Sequence, residues 1–546
     1  MTTQTISTSP FSGQAPGTSG LRKDVRTFQS EHYLANFIQS LFNCLALKED
    51  QTLLLGGDGR YFSAEAIQII LKMAAANGVK KILLGQNGIL STPAASTIIR
   101  KYEALGGILL TASHNPGGPN GDFGVKYNIS NGGPAPESFT DAVYAETLNI
   151  TEYLIDDAED IDITQLGEHL MGNMKIEVID PIVDYADQME SIFNFEKIKT
   201  LIKSNDFSMV FDAMHAVTGP YATEILGNRL GLDKNSILNA IPSPNFAGGH
   251  PDPSLTTAKE LVAKMFDREQ APNFGAASDG DGDRHMILGD YFFVNPSDSL
   301  AILAANANCV PHYKKIGVKG IARSMPTSQA ADHVAKKLNI PIYETPTGWK
   351  FFGNLLDHDK ITFCGEESFG GGANHIREKD GLWAVLFWLN LIAAKHDSVE
   401  NIVRKHWAEF GRNYYSRHDY EAITLEQGQE VMTHLRDSLP LLAGTQLGEL
   451  IIDKADDFTY IDPIDSSVSD KQGIRIIFDN GSRIVYRLSG TGTQGATLRI
   501  YIERYEADSK KHDLDIQETL KVLIEHALQI ARVEQITGRT EASNIV

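Results

Sequence analysis

A serine stands where an apolar run becomes a glycine-rich turn. The run Gly107 to Leu110 is typical of a buried strand, and Thr-Ala-Ser-His-Asn-Pro-Gly-Gly-Pro-Asn follows at 111–120. The Asn-Pro and Gly-Gly pairs force a turn, where backbone can approach a ligand closely. The hydroxyl of Ser113 is therefore well placed to meet a ligand. Taken alone, this loop is compatible with a hydrolase nucleophile, a phosphorylation site or a helix cap.

Three carboxylates recur at alternate positions in the sequence Asp-Gly-Asp-Gly-Asp-Arg, as Asp279, Asp281 and Asp283. In an extended segment they project to one side, and the glycines between them let the backbone bend so that they converge. Converging carboxylates are a site for Mg²⁺ or Ca²⁺. A solvated acidic turn is the alternative; a calcium loop of the EF-hand type is disfavoured, because its sixth position requires glycine and holds Arg284. Arg284 also suggests that a phosphate binds beside the metal.

A third motif, Arg-Leu-Ser-Gly-Thr-Gly-Thr at 487–493, joins two predicted strands. Hydroxyls, glycine N–H groups and an arginine in one loop form a nest for phosphate, which Arg499 on the next strand can complete. A plain surface turn is the alternative reading.

Several other segments each have a functional and a plain interpretation. In 364–372, a carboxylate and a hydroxyl on a mobile glycine loop suit the recognition of sugar hydroxyls, although a strand-end turn is the simpler reading. The charged run 377–381 is typical of a solvated turn. Thr347-Gly348 precedes a predicted helix, whose N-terminus attracts an anion or is simply capped. Arg22, in 17–23, either belongs to a disordered tail or reaches a phosphate.

The elements that position these residues alternate between strand and helix from about 51 to 364. Strands are predicted at Thr52 to Leu55, Lys81 to Leu84 and Gly107 to Thr111; the first is followed by a helix from Ala64 to Ala76 that Ser63 caps. Pro93 opens the next helix. Further strands are predicted at 209–212, 316–321 and 340–343. Such alternation predicts mostly parallel sheets with helices on both faces.

The C-terminal part follows a different pattern. Ile474 to Phe478 and Arg483 to Leu488 flank an Asn-Gly turn, which predicts a hairpin. Ala496 to Glu503 is a further strand, and a charged linker at 507–513 leads to an amphipathic helix. The pattern predicts an α+β module.

Composition narrows the classes of protein. A chain of 546 residues is too long for one hydrophobic core, so three to four domains are expected. The net charge of −21 disfavours binding to nucleic acid and to anionic membranes, and no run of about 18 apolar residues predicts a membrane span. Three scattered cysteines do not form a disulfide framework, and the first 20 residues have no apolar signal core. A cytoplasmic protein is expected.

Together, these motifs resemble those of the α-D-phosphohexomutase superfamily, and within it the phosphoglucomutase branch. The resemblance covers essentially the whole chain. The motifs occur in the family's order, and one such loop is a weak signal whereas five or six in order are specific. In sequence order they are the N-terminal Gly-Thr-Ser-Gly-Leu-Arg at 17–22, the serine loop, the three-aspartate loop, Thr347-Gly348, Gly-Glu-Glu-Ser at 365–368 and the C-terminal phosphate loop.

The resemblance implies a heart-shaped protein of four domains. Three would be related α/β domains with mixed, mostly parallel sheets, and the fourth a C-terminal α+β domain. We expect their boundaries at 1–185 with the phosphoserine loop, 186–302 with the metal loop, 303–400 with the sugar-binding loop and 401–546 with the phosphate-binding loop.

The resemblance also implies the reaction: an isomerase that interconverts glucose 1-phosphate and glucose 6-phosphate through a phosphoserine at Ser113 and a glucose 1,6-bisphosphate intermediate, which also acts as activator. Mg²⁺ would be held by Ser113, Asp279, Asp281 and Asp283 and would draw charge off the phosphorus. The family positions imply a catalytic set and a substrate-binding set. The catalytic set is Ser113, Lys379, Arg22 and His114, with Lys379 as the first choice for proton transfer; His114 adjoins Ser113, but neighbouring side chains often point apart. The substrate-binding set is Arg22, Ser113, Lys126, Asp283, Arg284, Thr347, Gly348, Glu366, Ser368, Lys379, Arg487, Ser489, Gly490, Thr491 and Arg499.

Two residues depart from the family pattern, His285 after the metal loop and Gln494 in the phosphate loop, where a smaller residue is usual. Three alternatives remain: a phosphatase, a phosphomannomutase or dual-specificity mutase, and a non-catalytic scaffold of the same fold. The Gly-Glu-Glu-Ser form of the sugar loop favours glucose. Small sugar phosphates are the expected partners, with the chain a monomer or weak homo-oligomer.

Overall fold

The computed structural model describes residues 2–17, 19–47, 51–490 and 495–546. The chain divides into two compact units, which are described separately. The first comprises 1–296, 306–319 and 348–400, and the second comprises 297–305, 320–347 and 401–546.

A seven-stranded mixed sheet forms the N-terminal part of the first unit. Its central strands are parallel, and antiparallel strands close both edges. In spatial order the strands are β2 (Leu21–Asp24), β6 (Asp122–Ile129), β5 (Gly106–Leu110), β3 (Thr52–Gly57), β4 (Lys81–Ile89), β9 (Met174–Ile179) and β8 (Gly167–Met171). A separate antiparallel pair is β1 (Thr3–Ser7) with β7 (Glu152–Asp156), and the helices are α1 (Val25–Phe28), α2 (Tyr33–Cys44), α3 (Ser63–Ala76), α4 (Thr92–Lys101) and α5 (Glu137–Thr147).

The start of α3 corrects one sequence prediction. Ser63 is the first helical residue and not the cap: Phe62 occupies that position with φ +76°, and the Ser63 hydroxyl is buried without a described partner. The reason is the preceding turn, in which the Ser63 N–H donates to the carbonyl of Arg60. At α4, Ser91 is the cap, and Pro93 follows Thr92 inside the first turn.

A five-stranded sheet follows in the same unit. Its order is β11 (Ile237–Leu238), β10 (Met209–Asp212), β12 (Phe274–Ser278), β13 (His285–Gly289) and β14 (Phe292–Phe293). The first three strands are parallel and the last two antiparallel. The helices of this region are α6 (Pro181–Ile192), α7 (Phe195–Ile202), α8 (Thr218–Ala222), which continues as a π-helical turn over Thr223–Arg229, and α9 (Lys259–Met265).

The region 296–400 contributes elements to both units. The first unit contains an antiparallel hairpin and three helices, and the second contains a parallel strand pair and two helices. One of these two helices begins at Pro296, which belongs to the first unit, and the rest of that helix belongs to the second. The elements of the first unit are β17 (Phe363–Glu366), β18 (Gly370–Ala373), α11 (Pro311–Ile316), α13 (Trp349–Asp357) and α14 (Gly381–Lys395), and those of the second are β15 (Ile321–Ser324), β16 (Ile342–Thr345), α10 (Pro296–Ala305) and α12 (Ala330–Leu338).

The strand predicted at 316–321 is therefore wrong. Ile316 ends α11, because Gly317 takes φ +75° and terminates the helix, and the strand begins at Ile321. The strand predicted at 340–343 is shifted to Ile342–Thr345.

An antiparallel seven-stranded sheet packs with two long helices in the second unit. Its order is β20 (Gln446–Leu447), β21 (Leu450–Asp457), β24 (Ile474–Phe478), β25 (Arg483–Gly490), β26 (Ala496–Glu506), β19 (Arg412–Ile423) and β27 (Asn544–Ile545). The remaining elements are α15 (Val399–Phe410), which begins in the first unit, α16 (Leu425–Leu442), α17 (Ile516–Ala531), α18 (Val533–Thr537) and the short pair β22 (Tyr460–Ile461) and β23 (Val468–Ser469). The hairpin predicted around the Asn-Gly turn is present as β24 and β25, with Gly481 at φ +81°.

Among the described residues, no helix combines the length and the apolar composition that crossing a bilayer requires.

Candidate active site

Ser113 lies just beyond the carboxyl end of β5 with a left-handed backbone, φ +52°. L-residues other than Asn and Asp rarely adopt this conformation, so its neighbours must hold it. The hydroxyl of Thr111 accepts the Ser113 N–H at 2.8 Å and itself donates to Asp58 at 2.6 Å. The turn predicted here is thus a fixed loop, and the Ser113 side chain is positioned and not free.

Arg60 fixes the same loop by hydrogen bonds to its backbone. Its guanidinium donates to the carbonyls of Ser113 and Asp122, both at 2.8 Å, and pairs with Asp58 at 2.9 Å. The side chains of Arg60 and Asp58 are both 0% exposed. A buried charge is stable only when it is paired and hydrogen-bonded, and this arginine is both.

The three aspartates occupy the loop between β12 and β13, and the two glycines allow it to lie against the serine. A Cβ on Gly280 would stand 2.2 Å from the Ser113 carbonyl oxygen, and Gly282 takes φ +83°. One oxygen from each carboxylate lies within 4.8 Å of the others, and all three residues are buried. The convergence that the sequence predicted is present.

Each carboxylate is held by at least one described contact, and two of the three keep an oxygen without a described partner. Asp279 Oδ1 accepts the N–H of Asp283 at 2.9 Å, and its Oδ2 accepts the Ser113 hydroxyl at 3.1 Å. Asp281 Oδ2 accepts from Thr92, and Asp283 Oδ2 pairs with Lys379 at 3.1 Å. The Oδ1 atoms of Asp281 and Asp283 are buried without a described partner. Buried unpaired carboxylate oxygens are costly, so this donor set fits a hard divalent cation.

Electrostatics supports the same conclusion. Burial raises the pKa of Asp279 well above its usual range, and the nearby Asp283 and Asp281 raise it further. Like charges this close in a buried site are stable only with a positive charge among them.

Cations surround the triad in the first unit. The side chain of Arg284 pairs with Asp252 at 3.0 Å, and that of Lys126 with Glu378 at 2.9 Å. For Lys379, burial lowers the pKa, but the Asp283 carboxylate and others outweigh it and the pKa is raised, so this amine is protonated. Burial lowers the pKa of Arg22 on β2, and the nearby Asp281 carboxylate opposes this lowering. The Nε of Arg22 is buried without a described partner. The arrangement suits an additional anionic group.

His114 lies closer to the serine than expected. Its Nδ1 is 3.4 Å from Ser113 Oγ, whereas neighbouring side chains often point apart. Burial, reinforced by the charges of Arg284 and Arg22, lowers the pKa of His114 well below its usual value. The imidazole is therefore neutral at pH 7 and can exchange a proton with a hydroxyl.

The sugar-loop region differs from the mobile glycine loop that the sequence suggested. Gly370 to Gly372 form strand β18 and pair with β17. Glycines are needed because a Cβ on Gly370 would meet the Lys379 side chain at 2.5 Å. The hairpin is fixed to the metal loop, since the His285 N–H donates to the Phe369 carbonyl at 2.9 Å. His285 itself is buried.

Within this hairpin, Glu366 is buried and accepts the N–H of Gly348 at 3.1 Å, while Ser368 is half-buried. Thr347, in the second unit, has a buried hydroxyl oxygen without a described partner.

The charged run 377–381 is not a solvated turn. Glu378 is 2% exposed and Asp380 is 0% exposed. Asp380 caps α14 by accepting a backbone N–H of its first turn. Its Oδ1 also accepts the Tyr185 hydroxyl at 2.6 Å, and its Oδ2 lies 3.0 Å from His375 Nε2. The run is buried because each charge has a partner from another element, which the sequence alone does not reveal.

In the second unit, β25 and β26 place two arginines side by side. Arg487 and Arg499 are cross-strand partners, and Ser489 and Gly490 follow on the same strand. Arg499 Nε lies 3.8 Å from Asp419, and the Arg499 side chain is 29% exposed. A cavity of about 460 Å³ is lined by Arg487 together with Arg436, Lys471 and neighbouring polar residues. Thr491 and Gln494, like Thr18, lie outside the described residues.

Comparison with known proteins gives a consistent result along the chain. Family models for phosphoglucomutase/phosphomannomutase α/β/α domains I, II and III match residues 13–154, 183–291 and 296–410. A model for the phosphoglucomutase-1 C-terminal domain matches residues 412–543. The chain belongs to the phosphoglucomutase/phosphomannomutase family.

Individual relatives agree with this assignment. A Rhizobium radiobacter protein named phosphoglucomutase is 58% identical over 542 residues, 99% of either chain. A pea protein named cytoplasmic phosphoglucomutase is 51% identical over 572 residues, 99% of this chain and 98% of the relative. The crystal structure of Paramecium parafusin, a phosphoglucomutase, in its open form has a TM-score of 0.92 at 48% identity, covering 100% of this chain and 99% of that one.

These findings confirm the predicted family, and the predicted fold of three α/β domains followed by a C-terminal α+β domain. The three boundaries at 185, 302 and 400 and the roles of individual site residues stay predictions.

Sequence reasoning missed the residues that position the phosphohexomutase-like site. These are Asp58, Arg60, Thr92 and Glu378, all buried. The signal in the sequence was slight: Asp58 and Arg60 follow the strand β3, as Ser113 follows β5, and adjacent parallel strands deliver their ends to one edge of a sheet.

Proposed function

We propose that the protein is a phosphoglucomutase, an isomerase that interconverts glucose 1-phosphate and glucose 6-phosphate. The observation that carries the proposal is the Ser113 hydroxyl, 3.1 Å from Asp279, inside a buried group of three carboxylates, two of which have an oxygen without a described partner. Relatives named phosphoglucomutase that match the full chain at 51–58% identity support the same reaction.

Ser113 is the proposed carrier of the phosphoryl group, with glucose 1,6-bisphosphate as intermediate and activator. Asp279, Asp281 and Asp283, with a phosphate oxygen on Ser113, would hold Mg²⁺. The metal would supply a Lewis acid that draws charge off the phosphorus. Around it, Arg22, Arg284, Lys126 and Lys379 neutralise the reacting phosphate, because phosphoryl transfer depends on positioning and charge stabilisation.

Proton transfer is assigned to two groups. The attacking sugar hydroxyl must lose a proton, and the departing serine oxygen must gain one. Lys379, the first choice from the sequence, is held protonated by Asp283 and is therefore proposed as the donor. His114 is neutral, and its Nδ1 lies 3.4 Å from the serine oxygen, so it is proposed to accept the serine proton in the return step, when the Ser113 hydroxyl attacks the bisphosphate.

Two further groups are proposed to bind the sugar phosphate. Glu366 and Ser368 would bind its hydroxyls. Thr347 and Gly348 are also proposed as substrate-binding residues. The phosphate that is not reacting would be bound by Arg487, Ser489, Gly490, Thr491 and Arg499; the cross-strand pairing of the two arginines supports this role.

The remaining proposals concern partners, assembly and location. Sugar phosphates would be the partners, and nucleic acid would be excluded by the net charge of −21. A monomer or weak homo-oligomer in the cytoplasm is proposed; among the relatives, the pea protein is named cytoplasmic and a potato protein chloroplastic.

The test of the carrier is Ser113→Ala, with Ser40→Ala as control because Ser40 is a buried serine on α2 that donates to the Asn36 carbonyl. We expect Ser113→Ala to lose mutase activity by a factor on the order of 10⁵ and to lose one phosphate from the intact mass. Ser40→Ala should retain both. Full activity in Ser113→Ala would overturn the proposal.

A second test removes the metal. Incubation with EDTA should abolish activity and added Mg²⁺ should restore it, because Oδ1 of Asp281 and Oδ1 of Asp283 have no described partner to replace the cation. Undiminished turnover in excess EDTA would contradict the metal site.

A phosphomannomutase is the second candidate, since the matching family models cover both activities. A coupled assay with glucose 1-phosphate and mannose 1-phosphate distinguishes them by comparing kcat/KM. Faster turnover of mannose 1-phosphate would reverse the assignment, and release of free phosphate from both sugars without isomerisation would indicate a phosphatase.

A further inference from the structure

We propose that Thr92 is a positioning residue that turns the Asp281 carboxylate toward the metal. The inference rests on the proposed function, because it concerns the metal site of that reaction. Thr92 lies 189 positions from Asp281 along the chain, on the first turn of α4.

Thr92 holds Asp281 at two points. Its hydroxyl donates to Asp281 Oδ2 at 2.8 Å, and its backbone N–H donates to the Asp281 carbonyl at 2.9 Å. Thr92 is 1% exposed and Asp281 is 2% exposed, so water does not compete for either bond. One residue therefore fixes both the main chain and the side chain of a metal-loop aspartate.

The start of α4 is built to hold Thr92 there. The Ser91 hydroxyl caps the helix by accepting the Ala94 N–H at 3.2 Å, and the Ser91 N–H donates to the Tyr221 hydroxyl at 3.2 Å. Gly282 allows the metal loop to pass beside this helix start, because its φ is +83° and a Cβ there would lie 2.9 Å from Thr218 Cγ2. A free N-terminal N–H of the helix, which normally needs a cap or water, is thus used to bind the loop.

The hydroxyl decides which oxygen faces the cation. Thr92 occupies Oδ2, and Oδ1 of Asp281 is buried without a described partner. Asp279 and Asp283 differ, since Asp279 Oδ1 accepts two backbone N–H groups and Asp283 pairs with the charged Lys379. Among the described hydrogen bonds of the three side chains, Asp281 has one, from the Thr92 hydroxyl, whereas Asp279 also accepts two backbone N–H groups besides the Ser113 hydroxyl. The Asp281 carboxylate is therefore the one most easily misdirected by a single substitution.

The experiment measures Mn²⁺ binding to the full-length protein by electron paramagnetic resonance, before any assay of activity. Thr92→Val has the same shape but no hydroxyl, and Thr92→Ser keeps the hydroxyl. Thr97→Val is the matched control, because Thr97 is also buried on α4 but donates to Pro93 and Gln188, away from the metal loop.

We expect Thr92→Val to weaken Mn²⁺ binding about 10- to 100-fold, the usual effect of removing a residue that orients a metal ligand. Thr92→Ser should stay within about twofold of the parent, and Thr97→Val should not change. Thr92→Ala is the second variant if Thr92→Val does not fold, and it should show the same loss.

Three outcomes would overturn the proposal: unchanged affinity in Thr92→Val or Thr92→Ala, equal weakening in Thr97→Val, or equal weakening in Thr92→Ser. Failure of the parent protein to bind Mn²⁺ would refute the metal site itself, and with it the proposed function. The two failures are therefore distinguishable.

Discussion

At the scale of single residues, the site depends on groups that do no chemistry. Ser113 takes φ +52°, and Arg60 fixes it by two carbonyl bonds, to Ser113 and Asp122, while Asp58 neutralises the arginine. The sequence predicted the nucleophile because a serine in a glycine-rich turn after a strand is a local pattern. It could not predict Arg60, because the partner carbonyls lie 53 and 62 positions away.

Arg60→Lys separates charge from geometry. Lysine keeps a positive charge beside Asp58 but cannot reach Asp58 and two carbonyls together with one ammonium group. We expect kcat to fall about 10- to 100-fold with KM little changed, because a displacement of about 1 Å at a reacting group has effects of this size. Steady-state kinetics and thermal unfolding measure this. Arg100→Lys is the control, since Arg100 lies near the C-terminal end of α4 and donates to the Asn131 carbonyl. A normal kcat in Arg60→Lys would contradict the positioning role of Arg60.

At the scale of elements, periodicity located most strands and helices, and the errors have local causes. Gly317 ends α11 where an apolar run suggested a strand. The glycines of β18 suggested mobility but form a paired strand, because Lys379 and Trp349 pack where side chains would be. Sequence patterns report local preference, whereas these positions were decided by close approach of another element.

The start of α14 gives the prediction at this scale. Asp380 caps the helix, accepts from Tyr185 and lies beside His375, all buried, so Asp380→Ala leaves buried polar groups without partners. We expect the free energy of unfolding to fall by about 3–5 kcal/mol. Asp515→Ala removes the same kind of cap from α17, but Asp515 is exposed, and about 1 kcal/mol is expected there. Urea unfolding monitored by circular dichroism compares them, and equal losses would show that the buried network adds nothing to the cap.

At the scale of the whole molecule, the order of motifs along the chain was enough to predict the family and its four-domain fold. The arrangement inside the first unit was not, since Asp279 lies 166 positions after Ser113 and Lys379 lies 96 positions after Asp283. The net charge of the chain is −21, but the three buried aspartates have cations beside them, since Lys126, Lys379 and Arg22 all act on Asp281.

A buried histidine in the second unit, His406, predicts how the stability of the protein depends on acid. His406 on α15 stacks on Phe410 with ring centroids 4.7 Å apart, and its Nδ1 is buried without a described partner. Burial lowers the pKa of His406 from 6.5 to about 3. The folded protein therefore keeps this imidazole neutral, while the unfolded chain takes up a proton below about pH 6.5.

The sign follows from this difference in proton binding. The contribution of neutral His406 to the free energy of unfolding is fully present above pH 6.5. It is lost as the pH falls toward about 3, by up to about 1.4 kcal/mol per pH unit. His406→Leu removes the titration, so its free energy of unfolding should fall less steeply than the parent's between pH 6.5 and 5. Urea unfolding at several pH values measures both slopes, with His358→Gln, an exposed histidine, as the control. Parallel slopes for the parent and His406→Leu would show that this histidine does not contribute to acid sensitivity.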